Sequence, residues 1–306
     1  MRSHYDAEID PRLENNSHAS ILRMVGFNKR VLEAGCASGH VSKMLFAQGC
    51  SVVGIEMDGD VVEPTRAWVE RVIVGDFDDS SLWDELRGEL FDVVLFGDVL
   101  EHLKDPLSTL REAVRHLVPS GIAVLSVPNI AHADVKIALL NGTFPYRESG
   151  LLDRTHIHFF TKESLLELVR DAGLIPTEIE RVIVPVFATE LGIQRSDVSA
   201  EVLEAVVGER ESETYQFVVR ASKDDGATSL ERFGDDLVTL SDRLRDEQRR
   251  TTTLLEHSEV LRNEIEALRV ANEAQEDELV HLRSRVHLIR RVIPEPLLNF
   301  LVRRFH

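Results

Sequence analysis

The sequence predicts an α/β fold, a largely parallel sheet covered by helices on both faces, followed by a C-terminal coiled-coil helix. Three observations lead there. Short β-rich apolar runs alternate with segments rich in helix formers through residue 222, the signature of a parallel sheet wrapped by helices. A polar stretch at 223–229 then breaks the pattern, and a heptad repeat begins at Leu230.

The expected strands, in order, are KRVLEA, SVVGIE, RVIVGD, FDVVLF and GIAVLSV. A helix over about Lys162 to Ala172, ended by Gly173, precedes two last strands within EIERVIVPVF and TYQFVVRA. Residues 1–222 thus form one catalytic-sized domain, and 223–229 read as a linker.

From Leu230 as position a, thirteen of the eighteen a and d positions through Ile289 are apolar without a break in register. A strict seven-residue repeat over residues 230–290 predicts a coiled coil, since a helix packed on a domain drifts toward a period of 3.6. The helix would extend roughly 90 Å, so it needs another helix, and Asn272 at an a site favours a parallel homodimer. The tail at 291–306 sets Val292, Ile293, Leu297, Leu298, Phe300, Leu301 and Val302 between arginine pairs. Such a segment suits the anionic face of a membrane or a partner protein equally.

Composition narrows the function. The 306 residues carry 35 Lys plus Arg against 53 Asp plus Glu, a formal charge of −18, which argues against nucleic acid as a partner because its phosphates demand the opposite sign. Only Cys36 and Cys50 are present, so a reducing setting fits. No apolar run is long enough to span a bilayer, and the expected location is the cytoplasm, with peripheral attachment to the inner membrane face left open by the tail.

The most informative segment is VLEAGCASGH at 31–40. A strand entering a glycine turn and then a helix exposes backbone N–H groups beside a ligand. The dinucleotide spacing fails, because Ala37 and His40 stand where glycines are needed and the second glycine is Gly39; the loop suits a nucleoside without phosphates. Glu56 ends the next strand, 21 residues after Gly35, where an acid accepts hydrogen bonds from ribose hydroxyls. Asp76 and Phe77 end the third strand and suit an adenine amino group and ring, while Asp98 ends the fourth. All of these strand ends face one crevice.

In LEAGCASG, GIEMD, GDFDD, FDVVLFGDVLEHL, VPSGIAVLSVPN and THIHFFTKESLLELVRDAGL, in that order, the chain resembles class I S-adenosylmethionine-dependent methyltransferases over about residues 29–220. The resemblance implies a Rossmann-like seven-stranded sheet with an antiparallel last strand. It also implies an S-adenosyl-L-methionine site made by Glu33, Gly35, Ala37, Gly39, Glu56, Met57, Asp76, Phe77 and Asp98. Ala37 departs from the glycine of many relatives, and an adjusted backbone with retained binding is expected there.

An oxygen nucleophile needs a base, and His102, His132, His156 and His158 offer one. The preferred catalytic set is His156, His102 and Asp98, without a metal. The alternative is a divalent cation held by Asp98, Glu101, His102 and His156, which resembles metal-dependent quinone-precursor and small-RNA methyltransferases. Alternation in HIHFF predicts that only one of His156 and His158 acts. The stretch NGTFPYRESGLLDRTHIHFF reads as a lid over the acceptor. Its wording resembles methyltransferases of bacterial surface-polysaccharide and glycan assembly, which implies a sugar hydroxyl of a glycan, polysaccharide or glycolipid as acceptor and a polysaccharide-assembly partner. The alternatives are O- or N-methylation of a small metabolite such as a phenol, quinone precursor or natural product, and a cofactor-binding coiled-coil scaffold without turnover.

Overall fold

A computed structural model describes residues 13–223 and, beyond them, scattered helical positions between 238 and 285. A seven-stranded sheet has the order β3-β2-β1-β4-β5-β7-β6. Its strands are β1 (Arg30–Ala34), β2 (Ser51–Glu56), β3 (Arg71–Val74), β4 (Phe91–Gly97), β5 (Leu117–Pro128), β6 (Leu174–Ile183) and β7 (Thr214–Lys223). The first five pair in parallel, whereas β7 is antiparallel to both β5 and β6. All seven expected strands are present, and β7 runs to Lys223, the first residue of the stretch read as linker.

Helices α1 (Ser17–Val25), α2 (His40–Ala47), α3 (Pro106–Arg115), α4 (Ala133–Leu140), α5 (Lys162–Asp171) and α6 (Ala200–Val207) accompany the sheet. Residue alternation divides the core into two layers. Val31, Val93, Leu95 and Val124 pack with Ile21, Leu22 and Leu45 of α1 and α2. Leu32, Val94, Phe96 and Leu125 pack on the other face with Leu110 of α3 and Leu165 of α5. Thr161 and Ser164 close a reciprocal cap that starts α5.

The even alternation of strand and helix is interrupted twice. The β2–β3 and β3–β4 connections hold only 3₁₀ segments, Thr65–Ala67 and Ser80–Leu86. In the first, Gly59 and Pro64 leave too few consecutive helix formers for an α-helix. In the second, the segment between Asp79 and Gly88 tucks Leu82, Trp83 and Leu86 into the core as a tight turn.

The chain separates into two compact units, Met1–Asp242 and Arg243–His306. The first therefore reaches into the heptad stretch. Val238 is buried in its core, and Asp242 pairs with Arg181 at 2.8 Å and Lys162 at 2.6 Å. Arg181 also engages both oxygens of Glu211 at 2.8 Å. Burial opposes ionisation of Asp242, but hydrogen bonds from Arg181 and Lys162 hold its carboxyl below the ordinary range. In the second unit the described residues are helical, and Leu244, Ile265, Leu279 and Leu282 are exposed. Most of the expected coiled coil, residues 224–230 and the tail at 291–306 lie outside the described residues.

Candidate active site

The ends of β1, β2, β3 and β4 open onto a cavity of about 610 Å³ lined by Glu33, Gly35, Ala37, Glu56, Met57, Asp76, Phe77 and Asp98. Its shape rests on two glycines. A Cβ at Gly35 (φ +68°) would meet Val99 Cγ2 at 2.6 Å, and one at Gly39 (φ +81°) would meet the Thr65 backbone at 2.8 Å. Gly39 is buried beneath the cavity, at the start of α2. Ala37 stands at φ +42°, the left-handed region that glycine favours. Its N–H donates to Glu56 Oε2 at 3.0 Å and its carbonyl accepts from Thr65 Oγ1 at 2.6 Å, and these bonds hold the strained residue in place.

Glu56 is fixed by a second backbone donor, Asp58 N–H, at 2.9 Å. A carboxylate so held keeps lone pairs for two ribose hydroxyls. Asp76 is oriented by the Asp78 N–H at 2.9 Å, and the Phe77 ring, 7% exposed, forms a cavity wall for a purine. Glu33 is buried and accepts from Ser42 Oγ; burial pushes its pKa up to about 7, against the pull of that hydrogen bond. Asp98 stands at φ +56°, and its carboxylate accepts from Ser126 Oγ at 2.9 Å and Gln216 Nε2 at 2.5 Å. Together, acids for an ammonium, a ribose and an adenine, a ring face and a glycine floor fit S-adenosylmethionine.

The acceptor side is built from a distant segment. The backbone N–H groups of Ile157 and His158 donate to the Glu101 carbonyl at 2.9 and 3.0 Å, fastening the expected lid to the turn after β4. Glu190 holds its middle by accepting from Leu151 N–H at 2.7 Å, and also accepts from Tyr215 Oη of β7 at 3.0 Å. This places His156 edge-on to His102 with ring centroids 4.8 Å apart. His102 Nδ1 lies 3.2 Å from the Thr155 carbonyl, which can only accept, so Nδ1 carries the proton of that hydrogen bond. His156 is 9% exposed, and burial together with His102 lowers its pKa below 6.5, leaving it neutral and basic near pH 7.

Beneath the pair sits Glu101, 1% exposed, with both carboxylate oxygens buried and without a hydrogen-bond partner among the described residues. Burial, reinforced by the Asp98 charge, raises its pKa well above the carboxylate range. Ligand atoms of Glu101, His102 and His156 lie within 4.8 Å of one another, a set that suits a divalent cation. Asp98 is not in this group; its Oδ1 accepts from both Ser126 and Gln216.

Of the other histidines, His158 stacks on Phe160 with Nε2 3.3 Å from the Lys104 carbonyl. His132 caps α4 and lies 2.9 Å from the Val184 carbonyl, outside the cavity. Sequence reasoning missed Gln216, on the far strand β7, and His18 and His40, which line the cavity. His40 adjoins the glycine loop and was open to notice, whereas His18 belongs to no motif.

Among curated proteins, the ubiquinone biosynthesis O-methyltransferase of Cereibacter sphaeroides is 29% identical over 185 residues, covering 59% of this chain and 74% of that protein. The protein of the same description from Ruegeria pomeroyi is 28% identical over 186 residues, covering 58% and 72%. A solved SAM-dependent methyltransferase from Archaeoglobus fulgidus aligns with a TM-score of 0.49 at 20% identity, over 66% of this chain and 89% of its own. Residues 2–179, more than half of the chain, match the family described as "Methyltransferase domain". The chain belongs to that family and is a methyltransferase that uses S-adenosylmethionine.

Proposed function

We propose that the protein is an O-methyltransferase acting on a hydroxyl of a small metabolite, a phenol or quinone precursor, with His156 as the base. The observation that carries this reading is the neutral, nearly buried His156 held edge-on against His102, which lines the cavity. The resemblance of the lid to glycan-assembly enzymes implies a sugar hydroxyl. The relatives' description as ubiquinone biosynthesis O-methyltransferases favours the small-metabolite alternative instead.

When bound, the cofactor supplies a methyl group on a positively charged sulfur, which leaves as a neutral thioether once the acceptor oxygen takes the methyl. The protein's part is alignment, exclusion of water and removal of one proton. Ile157 and Leu103 wall the cavity beside His102, and the lid fastened to Glu101 limits water. The acceptor O–H gives its proton to the His156 imidazole. That ring is neutral at pH 7 because burial and His102 disfavour its charged form.

The orphaned Glu101 carboxyl supports a second reading of the same site. Glu101, His102 and His156 would hold a divalent cation, whose chemistry would be to acidify the hydroxyl.

The test is methyl transfer by the full chain to catechols, compared with monosaccharides and nucleotide sugars, with and without chelator. Methylated catechol oxygen that His156→Ala abolishes supports the proposal. Turnover with sugars alone overturns the acceptor class, and chelator-sensitive turnover restored by one metal selects the second reading.

The exposed heptad residues Leu244, Ile265, Leu279 and Leu282 call for a partner helix, and a second copy of the chain is the simplest one. Light scattering on the full chain should give twice the monomer mass; a monomer would defeat the homodimer. Among the described residues no helix is long and apolar enough to cross a membrane.

A further inference from the structure

The cofactor cavity is lopsided in charge. Glu33, Glu56, Asp76, Asp78 and Asp98 line it, matched by one lysine, Lys104, whose Nζ lies 3.3 Å from the Asp78 carboxylate. That field suits a sulfonium, an ammonium and ribose hydroxyls, but S-adenosylmethionine also carries a carboxylate, which needs a cationic or hydrogen-bond-donating receiver. Lys104 sits beside Asp78, just past the β3 end assigned to adenine. With adenine over β3 and ribose over β2, the amino-acid end of the cofactor extends across β1 toward β4, away from Lys104.

At that end two histidines meet. His18, on α1, and His40, the first residue of α2, both line the cavity with ring centroids 5.3 Å apart, edge to face. Both are partly exposed. The positive end of the α2 dipole adds to the same corner, and Gly39 caps that helix without a side-chain hydrogen bond. Burial and His40 hold the His18 pKa below its ordinary value while Asp98 pulls the other way, so an arriving anion would relieve the disfavoured charge.

We propose that His18 and His40 form the receiver for the carboxylate of the cofactor's amino-acid moiety, making α1 a specificity element of the cofactor site. The assignment rests on cofactor binding and is independent of the acceptor.

The test is calorimetry on the full chain with two ligands, S-adenosylhomocysteine and S-adenosyl-3-thiopropylamine. The second lacks only the carboxylate and keeps the adenosine, sulfur and amine. Wild type should prefer S-adenosylhomocysteine by about ten- to hundredfold, the range of a charge-assisted hydrogen bond. His18→Ala/His40→Ala should erase that preference while binding the thiopropylamine within about twofold of wild type, which also reports an intact pocket. A variant that keeps the preference, or that loses both ligands by the same factor, overturns the assignment. Single variants His18→Gln and His40→Gln, which keep a donor, should retain part of the preference. Wild type that binds neither ligand would overturn the cofactor site itself and the proposal with it.

Discussion

The two halves of the active site are made differently. The cofactor half is local: Gly35, Ala37, Gly39, Glu56 and Asp76 follow directly from strand ends and their turns, held by hydrogen bonds such as Asp58 N–H to Glu56 and Asp78 N–H to Asp76. The acceptor half is assembled at long range. The Glu101 carbonyl anchors Ile157 and His158, and Glu190 accepts from Leu151 N–H 39 residues away. The buried acids repeat the contrast, since Glu33 has Ser42 as a donor, whereas the Glu101 carboxylate has none among the described residues. Local sites are held by their own turns, and distant ones depend on the lid staying fastened.

Four experiments would break or sharpen that comparison. The largest expected effect is His156→Ala, which should lower kcat by about 10²- to 10⁴-fold while S-adenosylhomocysteine affinity stays near wild type. Equal loss of affinity would mean that the halves are not separable. In wild type the acid limb of kcat should fall below pH 6.5, because His156 must be neutral to accept a proton and its pKa lies below that value.

Next is Asp242→Ala, which removes one of the acids paired with Arg181 and Lys162. Arg181 keeps Glu211, so a loss of about 3 kcal/mol is expected, at the lower end for breaking a buried pair. Chemical denaturation measures it. A neutral result would show that the start of the C-terminal helix is not part of the folded domain.

Glu101→Gln tests the unpartnered acid. A raised folded-state pKa makes the wild type most stable below the unfolded value of 4.5, with stability lost as pH rises toward the folded pKa. The Gln variant should lack that slope, and thermal melts across pH 4 to 9 compare the two. Parallel curves would mean that Glu101 is partnered in solution.

The smallest effect is expected from Ala37→Gly. Removing a left-handed alanine gains about 1 kcal/mol, partly offset by the freedom glycine adds to the unfolded chain. Denaturation should show a gain of no more than about 1 kcal/mol, and a clear loss would show that the alanine methyl packs usefully.

Much of this architecture was legible in the residues. Short β-rich apolar runs appear at each of the seven strands, and the glycine turn and strand-end acids announce the cofactor half because their geometry is fixed within a few residues. His156 and His102 were nameable as a supply of bases, but their approach was not. Ala37 shows the limit of local reading: its small side chain says that it fits, but the bonds to Glu56 and Thr65 that hold it left-handed come from elements further along the chain. The lid's wording resembles glycan-assembly enzymes, whereas the relatives found over 185 and 186 residues are described as ubiquinone biosynthesis O-methyltransferases.

The sequence by itself determined the sheet, the cofactor loop and the heptad pattern, because period and turn chemistry are properties of neighbouring residues. Only the tertiary structure decided that Asp98 is held by Gln216, that Glu101 is buried without a partner among the described residues, and that His18 meets His40. It also decided that Asp242 belongs to the catalytic unit. Such pairings join elements far apart in the chain, and burial, which sets their charge states, arises only when those elements pack.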